Sequence, residues 1–358
     1  MLDWLFSWRT GGKDKPTNQH KADLVLSDNL MVNFLGILHS FRKTDFTTFV
    51  NEHKRLYAEA VKTGDYAPVT SHYYSVMVLL VEHYFGGAFH FVPPAFAGQS
   101  MRDANRRLHR LICERARLDA RSTCLDVGCG LGEAMVDVHR CSNATVVGIT
   151  IAPQEVARGN HIIRNTQGVD AQRCTIRLGD AHDIPCAEAQ FDSAYAIYAL
   201  KYFTDLSPIF AQLHRVLKDG GRLLVYDLLK TERYDARCER HRGIVDGLQF
   251  SCGMPPLHSA AELIATAEAA GLRLVRHEDV TVHAALPWYH CFAATPLLVW
   301  LMESRLLRYA IRLLEWLRIA PTGLQQFNEI FVAGTVSKLV RGGQRGILNG
   351  STLLVFQK

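Results

Sequence analysis

Cys124-Leu125-Asp126-Val127-Gly128-Cys129-Gly130-Leu131-Gly132 is the stretch on which the fold turns. It is apolar up to Asp126, then carries glycine at every second position and runs into a helix-forming segment. That is the pattern of a buried strand turning sharply into a helix. Glycines at such a turn let the backbone approach a ligand with no Cβ in the way, and the helix behind them offers free N–H groups. Spacing narrows the ligand. A dinucleotide Gly-x-Gly-x-x-Gly turn would need glycine where Glu133 stands, and here an acid, Asp126, sits two residues before the first glycine. An ordinary glycine-rich strand-to-helix turn is the alternative reading.

Outward from this turn, apolar runs alternate with helical segments. Strands are expected at Thr145 to Ile151, Cys174 to Leu178, Phe191 to Tyr198, Gly221 to Leu229 and Leu272 to Val280, with a last one at Ser351 to Gln357. Strands spaced by helices predict an α/β fold: a doubly wound parallel sheet with its ligand at the carboxyl ends of the strands. Asp103 to Leu118 reads as a basic amphipathic helix leading into the first strand.

The chain has 358 residues, 48% hydrophobic and 21% charged, ordinary values for a globular protein with an ample core. A net charge of +5 is too weak to argue for nucleic acid and is equally compatible with an anionic membrane surface. The nine cysteines form no Cys-x-x-Cys pair and stand singly in apolar surroundings. They predict reduced core thiols in a cytoplasmic protein, with neither a structural zinc nor disulfides.

Five regions follow from these patterns. Residues 1–27 read as a flexible N-terminal segment, with Trp4, Phe6 and Trp8 suited to a lipid interface as an alternative. Residues 28–115 read as a helical extension. Two helices are expected between Asp28 and Val61 and a break at Gly64 to Thr70, followed by an aromatic stretch from Ser71 to Pro94. That stretch suits either a large flat apolar ligand or a helix docking its rings on the core. Residues 116–280 form the sheet core, 281–350 an insertion, and 351–358 the last strand. Within the insertion, Leu286 to Met302 is apolar, but two prolines and His290 interrupt it, so no transmembrane span is expected. Glu303 to Ile319 sets Arg305, Arg308, Arg312 and Arg318 against Leu306, Leu307, Ile311, Leu314, Trp316 and Leu317. This is the make-up of a helix lying on a lipid surface, or of a globular helix with a solvated basic face.

Asp126, Gly128, Gly130 and Gly132 resemble motif I of the class I S-adenosylmethionine (SAM) methyltransferases. The resemblance implies SAM as cofactor and a Rossmann-like core. It implies that Asp180 and Ala181, after the third strand, meet the adenine, and that Thr150 meets the ribose in place of the usual acid. A hydroxyl there gives up the stronger charge-assisted bond.

Narrower elements resemble the sterol C-methyltransferases: Tyr73-Tyr74-Ser75-Val76-Met77, Ala88-Phe89-His90-Phe91, Leu217-Lys218-Asp219-Gly220-Gly221, Leu286-Pro287-Trp288-Tyr289 and Ile319-Ala320-Pro321. The resemblance implies a sterol substrate held by Tyr73, Tyr74, Phe85, Phe89, Phe91, Trp288 and Tyr289, no nucleic-acid partner, and a peripheral seat on the endoplasmic reticulum membrane. Two departures stand out. Side-chain (C-24) enzymes carry Tyr-Glu-Tyr-Gly-Trp-Gly where this chain has Val81-Glu82-His83-Tyr84-Phe85-Gly86, and Glu and His where it has Tyr198 and Tyr202. Side-chain methylation leaves a carbocation that rings and a carboxylate would stabilise. Changing both elements favours another acceptor, and the pattern is more similar to the nematode enzymes that methylate the ring at C-4. A saturated C-4 is not nucleophilic, so a 3-oxo sterol or its enol is expected, with a base removing the C-4 proton. Candidates for the base or for support of the oxygen are His90, Glu82, His83, Tyr198 and Tyr202, with His90 first as base and the Tyr198 phenol on the 3-oxygen. Tyr198 also falls within the cofactor set. A C-24 enzyme, a methyltransferase of another lipid and a non-catalytic sterol carrier are the rival readings.

Overall fold

The computed structural model describes residues 45–85, 90–292, 300–301 and 303–358. The N-terminal segment and the first expected helix lie outside the described residues. Helix α1 (Phe46–Thr63) starts where the Asp45 side chain accepts from the backbone N–H groups of Thr47 and Thr48, and it stops at Gly64 in the left-handed region. Helix α2 (Ala67–Phe85) begins within the expected break. Asp65 accepts from the Ala67 N–H, and Pro68 falls in the first turn, where a missing N–H costs nothing. Helix α3 (Met101–Ala116), capped by Ser100, then leads into the sheet.

The sheet has seven strands: β1 (Thr123–Val127), β2 (Thr145–Thr150), β3 (Cys174–Leu178), β4 (Phe191–Ile197), β5 (Leu217–Lys230), β6 (Arg273–Asp279) and β7 (Leu348–Gln357). Their order is β3-β2-β1-β4-β5-β7-β6. The first five pair in parallel, with Asp126 registered against Gly148 on one side and Tyr195 on the other. Helices α4 (Glu133–Ser142), α5 (Pro153–Arg164) and α6 (Ser207–Val216) connect these strands. The core under them is aliphatic and aromatic, with Leu125, Ile149, Phe191, Phe210, Leu213 and Phe356 fully buried. Burying side chains of this size contributes roughly 1.5–3 kcal/mol each.

The sheet is not parallel throughout. Strand β7 slots between β5 and β6 and runs antiparallel to both. A parallel neighbour would need a crossover, whereas β7 starts at the end of the sheet where β6 stops, with Asp279 opposite Thr352, so the chain that returns from the helical region runs back antiparallel. Helix α7 (Glu239–Cys252), α8 (Ala260–Ala269, with a Ser259–Glu262 capping box), α9 (Arg305–Trp316) and α10 (Ala333–Gln344) complete the chain. A π turn at Asn328–Val332 precedes α10. Phe46 and Phe49 of α1 pack on Phe327 and Phe331, with ring centroids 4.3–5.7 Å apart, which ties the extension to the region before β7. Cys113, Cys124, Cys174 and Cys252 are buried as expected, but Cys141 is exposed because it lies in the last turn of α4, on the solvent side. Among the described residues no helix is long and apolar enough to cross a membrane, and no cluster of three metal-ligating side chains occurs.

Candidate functional site

The glycine turn sits at the carboxyl end of β1. Gly128 has φ +75°, and a Cβ there would lie 2.8 Å from the Ala199 Cβ, so side chains are excluded on both conformational and steric grounds. At Gly130 the same construction meets nothing within 4 Å, which leaves the turn open on one side. Gly132 caps α4 without a side-chain hydrogen bond, so the first N–H groups of that helix are offered forward.

Two carboxyl groups flank this turn in the chain, Asp126 buried and Glu133 half-buried. Neither Asp126 Oδ2 nor Glu133 Oε2 has a hydrogen-bond partner. Burial pushes Asp126 up to about 7, with the nearby Tyr195 hydroxyl opposing the shift only in part. Burial, helped by the charge of Asp137, pushes Glu133 up to about 7 against the pull of Arg102 and Arg106. Buried acids left without a partner are costly unless a cationic group meets them, and SAM brings an ammonium and a sulfonium. The residues present fit that cofactor.

Thr150, the residue at the expected place of the ribose acid, is itself tied to an acid. Its hydroxyl donates to Glu155 Oε2 at 2.6 Å and accepts from the Ala152 N–H at 3.2 Å. That acid, Glu155, lies in the first turn of α5. Asp180 accepts from the His182 backbone N–H and ring Nδ1 through Oδ1 alone, at 2.9 and 2.8 Å, which leaves Oδ2 able to accept from a ligand. Ala181, beside it, is buried.

The aromatic candidates form two groups. In the first, the Tyr198 ring lies 5.0 Å from Phe91, 5.9 Å from His90 and 5.8 Å from Tyr226, and Phe91 lies 5.8 Å from Trp288. Tyr289 packs edge-on against Trp288 at 5.6 Å. Burial, together with His109 and Lys201, holds His90 well below the usual imidazole range, and its Nδ1 is buried without a partner. In the second group, the hydroxyls of Tyr74 and Tyr202 lie 2.5 Å apart, and Tyr73 packs edge-on against Tyr74. The side chains of Glu82, His83 and Phe85, and all of Phe89, lie outside the described residues.

Geometry narrows one expectation. Tyr198 adopts φ +56°, a strained conformation for an aromatic residue, and its hydroxyl donates to the Gly350 carbonyl at 2.5 Å. A phenol has a single proton, so with that proton on Gly350 this oxygen is left only to accept, as from the O–H of an enol.

Lys201, missed in the sequence, joins the two groups. Its buried ammonium lies 4.2 Å from the Tyr198 ring centroid and 4.7 Å from that of Tyr202, donates to the Tyr198 carbonyl, and sits 3.7 Å from Asp227 Oδ1. Burial pulls Lys201 down to about 8 while Asp227 holds it up; burial raises Asp227 while Lys201 opposes. A lone lysine in the apolar run from Tyr195 to Phe203 was the available signal. Glu155 had one too: an acid in the first turn of a helix opened by Pro153.

The mostly parallel sheet and the glycine turn backed by buried acids define a class I SAM-dependent methyltransferase. Residues 125–225 match the methyltransferase domain family, and 299–358 match the sterol methyltransferase C-terminal family. The chain is 43% identical over 334 residues to the sterol 4-C-methyltransferase of Caenorhabditis elegans, covering 93% of this chain and 99% of that one. It is 29% identical over 286 residues to the 24-methylenesterol C-methyltransferase 2 of Oryza sativa subsp. japonica, covering 80% and 76%. Among solved structures, the geranyl diphosphate C-methyltransferase of Streptomyces coelicolor shares the fold at 17% identity, with a TM-score of 0.57 over 82% of this chain and 97% of that one. The chain belongs to the sterol methyltransferase family.

Proposed function

We propose that this enzyme methylates the ring system of a sterol at C-4, acting on a 3-oxo sterol or its enol, while seated peripherally on a lipid surface. The observation that carries the ring preference is the Tyr74–Tyr202 pair at 2.5 Å. When one phenol donates to the other, the acceptor keeps its own proton free, and that proton is placed to donate to an oxygen. A ketone oxygen that becomes an enolate gains most from such a donor, whereas a side-chain carbocation gains nothing from it. The 43% identity to a sterol 4-C-methyltransferase supports the same choice.

His90 serves as the base in this reading. Burial keeps its imidazole neutral at physiological pH, and its Nδ1 has no hydrogen-bond partner, so in the Nε2–H tautomer that nitrogen offers a free lone pair. The C-4 proton passes to that nitrogen, and the electron pair left behind delocalises onto the 3-oxygen, where the free phenolic proton meets it. SAM, when bound, supplies an electrophilic methyl group on a sulfonium. Asp126 and Glu133 hold the cationic cofactor, Glu155 and Thr150 face its ribose, and Asp180 with Ala181 its adenine. The Phe91, Tyr198 and Trp288 rings exclude water from the reacting carbon.

The lipid seat rests on α9. Leu306, Tyr309, Leu313 and Trp316 recur at helical spacing and are 54–77% exposed, so the apolar stripe points away from the protein. Arg305 and Arg312 flank it, which suits an anionic membrane surface. Incubation with labelled SAM and a panel of sterols and 3-oxo sterols, with the new methyl located by NMR, tests the assignment. A C-4 methyl formed faster on the 3-oxo sterol is expected; a methyl only on the side chain overturns it.

A further inference from the structure

A cleft of about 610 Å³ opens beside the lipid-facing helix, away from the glycine turn. Five cationic side chains line it: Arg240 of α7, Arg308 of α9, and Lys338, Arg341 and Arg345 at α10 and its end. Only two acids share it, and both are taken. Glu329 pairs with Arg308 at 3.2 Å, and Glu303 pairs with Arg341 at 2.5 Å. Arg240, Lys338 and Arg345 have no acidic partner among the described residues.

The wall is shaped as well as charged. The Lys338 ammonium donates to the Gly334 carbonyl at 3.1 Å, which uses one of its three protons and fixes its direction. Burial lowers its pKa, so a negative charge beside it would be favourable. A Cβ at Gly334 would run into the Glu329 carbonyl and fall 3.1 Å from that ammonium, so the glycine lets the helix and the π turn pack closely beside the cation. Glu329 lies in the π turn, a local irregularity that often marks a functional site. The cleft and the apolar stripe share α9: Arg308 looks into the cleft, and its neighbours Leu306 and Tyr309 look outward.

We propose that this cleft binds the phosphate of an anionic membrane lipid, so that α9 enters the bilayer while Arg240, Lys338 and Arg345 hold a headgroup. The proposal rests on the membrane seat argued above. Planar guanidinium groups and an ammonium converging on one volume suit a tetrahedral oxyanion, and the surface charge of an anionic leaflet adds to the pull. Anchoring the headgroup there would orient the enzyme on the membrane in which a sterol is dissolved.

Vesicle co-sedimentation separates the two ideas. The probes are phosphatidylcholine vesicles and phosphatidylcholine vesicles containing phosphatidic acid, with the full chain and two variants, R240Q/R345Q and L313E/W316E. All four positions are exposed, so folding is spared, and far-UV circular dichroism with turnover on detergent-dispersed sterol verifies it. The wild type is expected to prefer phosphatidic acid vesicles. R240Q/R345Q should lose roughly thirtyfold of that preference, about fivefold for each arginine, and keep its binding to phosphatidylcholine. Unchanged preference in R240Q/R345Q overturns the headgroup site while leaving the membrane seat intact. Unchanged vesicle binding by L313E/W316E overturns the seat itself. If R240Q/R345Q loses binding of inorganic phosphate, read by calorimetry, while its preference for phosphatidic acid vesicles is unchanged, the ligand is a free phosphate and the lipid assignment fails.

Discussion

The hydroxyls of Tyr74 and Tyr202 meet at 2.5 Å although the residues stand 128 positions apart. Burial pushes the Tyr202 phenol well above its usual range, so both members stay protonated and the pair always holds one proton more than it uses internally. Removing either hydroxyl removes the arrangement. Y74F and Y202F are each expected to lower kcat on a 3-oxo sterol about 10²-fold, with the dissociation constant for SAM unchanged. The double variant should be little worse than either single one, because the two act as a unit. Additive losses in single-turnover assays would count against a shared role.

Cofactor binding should depend on pH in a defined direction. Asp126 and Glu133 both titrate near 7, against 3.8 and 4.5 for the ordinary groups. Between about 4 and 7 the native protein therefore holds protons that the unfolded chain lacks, and stability without cofactor falls as pH rises through that window. The cationic cofactor binds the ionised acids, so its affinity rises over the same window and levels off above 7. Calorimetry should show up to roughly tenfold weaker binding per pH unit below 7 for each acid. D126N should flatten the profile; an unchanged slope in that variant would remove Asp126 from the site.

Gly128→Ala should abolish SAM binding rather than weaken it. The new Cβ meets Ala199 at 2.8 Å and needs φ +75°, a left-handed conformation costing about 1 kcal/mol for a non-glycine residue, before the clash is counted. Gly130→Ala meets no protein atom, so any loss of binding there reports contact with the cofactor alone, read by calorimetry beside an unchanged melting temperature once φ strain is allowed for.

The fold was legible because its signals are local. The glycine turn, the alternation of strands and helices, and most strand positions lie in short windows of sequence. Strand β7 escaped in direction because an apolar run of this kind looks the same parallel or antiparallel; only its position between β5 and β6 decides. The cofactor was legible for the same reason, since the glycine turn that implies it is a single short window. The bond from the Tyr198 hydroxyl to Gly350 was not legible because the two stand 152 residues apart. The tie of Thr150 to Glu155 was not legible because it depends on the rotation of the first turn of α5. Lys201 was passed over because attention fell on the rings around it, whose stacking on its ammonium is a tertiary event.

Lys201 and Asp227 give the last prediction. Both are buried, and each is the other's nearest opposite charge, with Asp227 also accepting from the backbone N–H groups of Lys201 and Leu228 at 3.0 and 2.8 Å. K201M leaves the carboxylate buried without its cation, which typically costs roughly 3–5 kcal/mol. The lysine titrates near 8 in the native protein and near 10.5 when unfolded, so across that window the unfolded chain binds the extra proton and the lysine's contribution grows with pH. The melting temperature of the wild type minus that of K201M should therefore widen between pH 8 and pH 10. Because Lys201 also fixes the Tyr198 carbonyl and lies over both tyrosine rings, K201M should lower kcat on sterol more than it weakens SAM binding. A gap that stays constant with pH would mean that the lysine keeps its ordinary titration and that burial does not govern it.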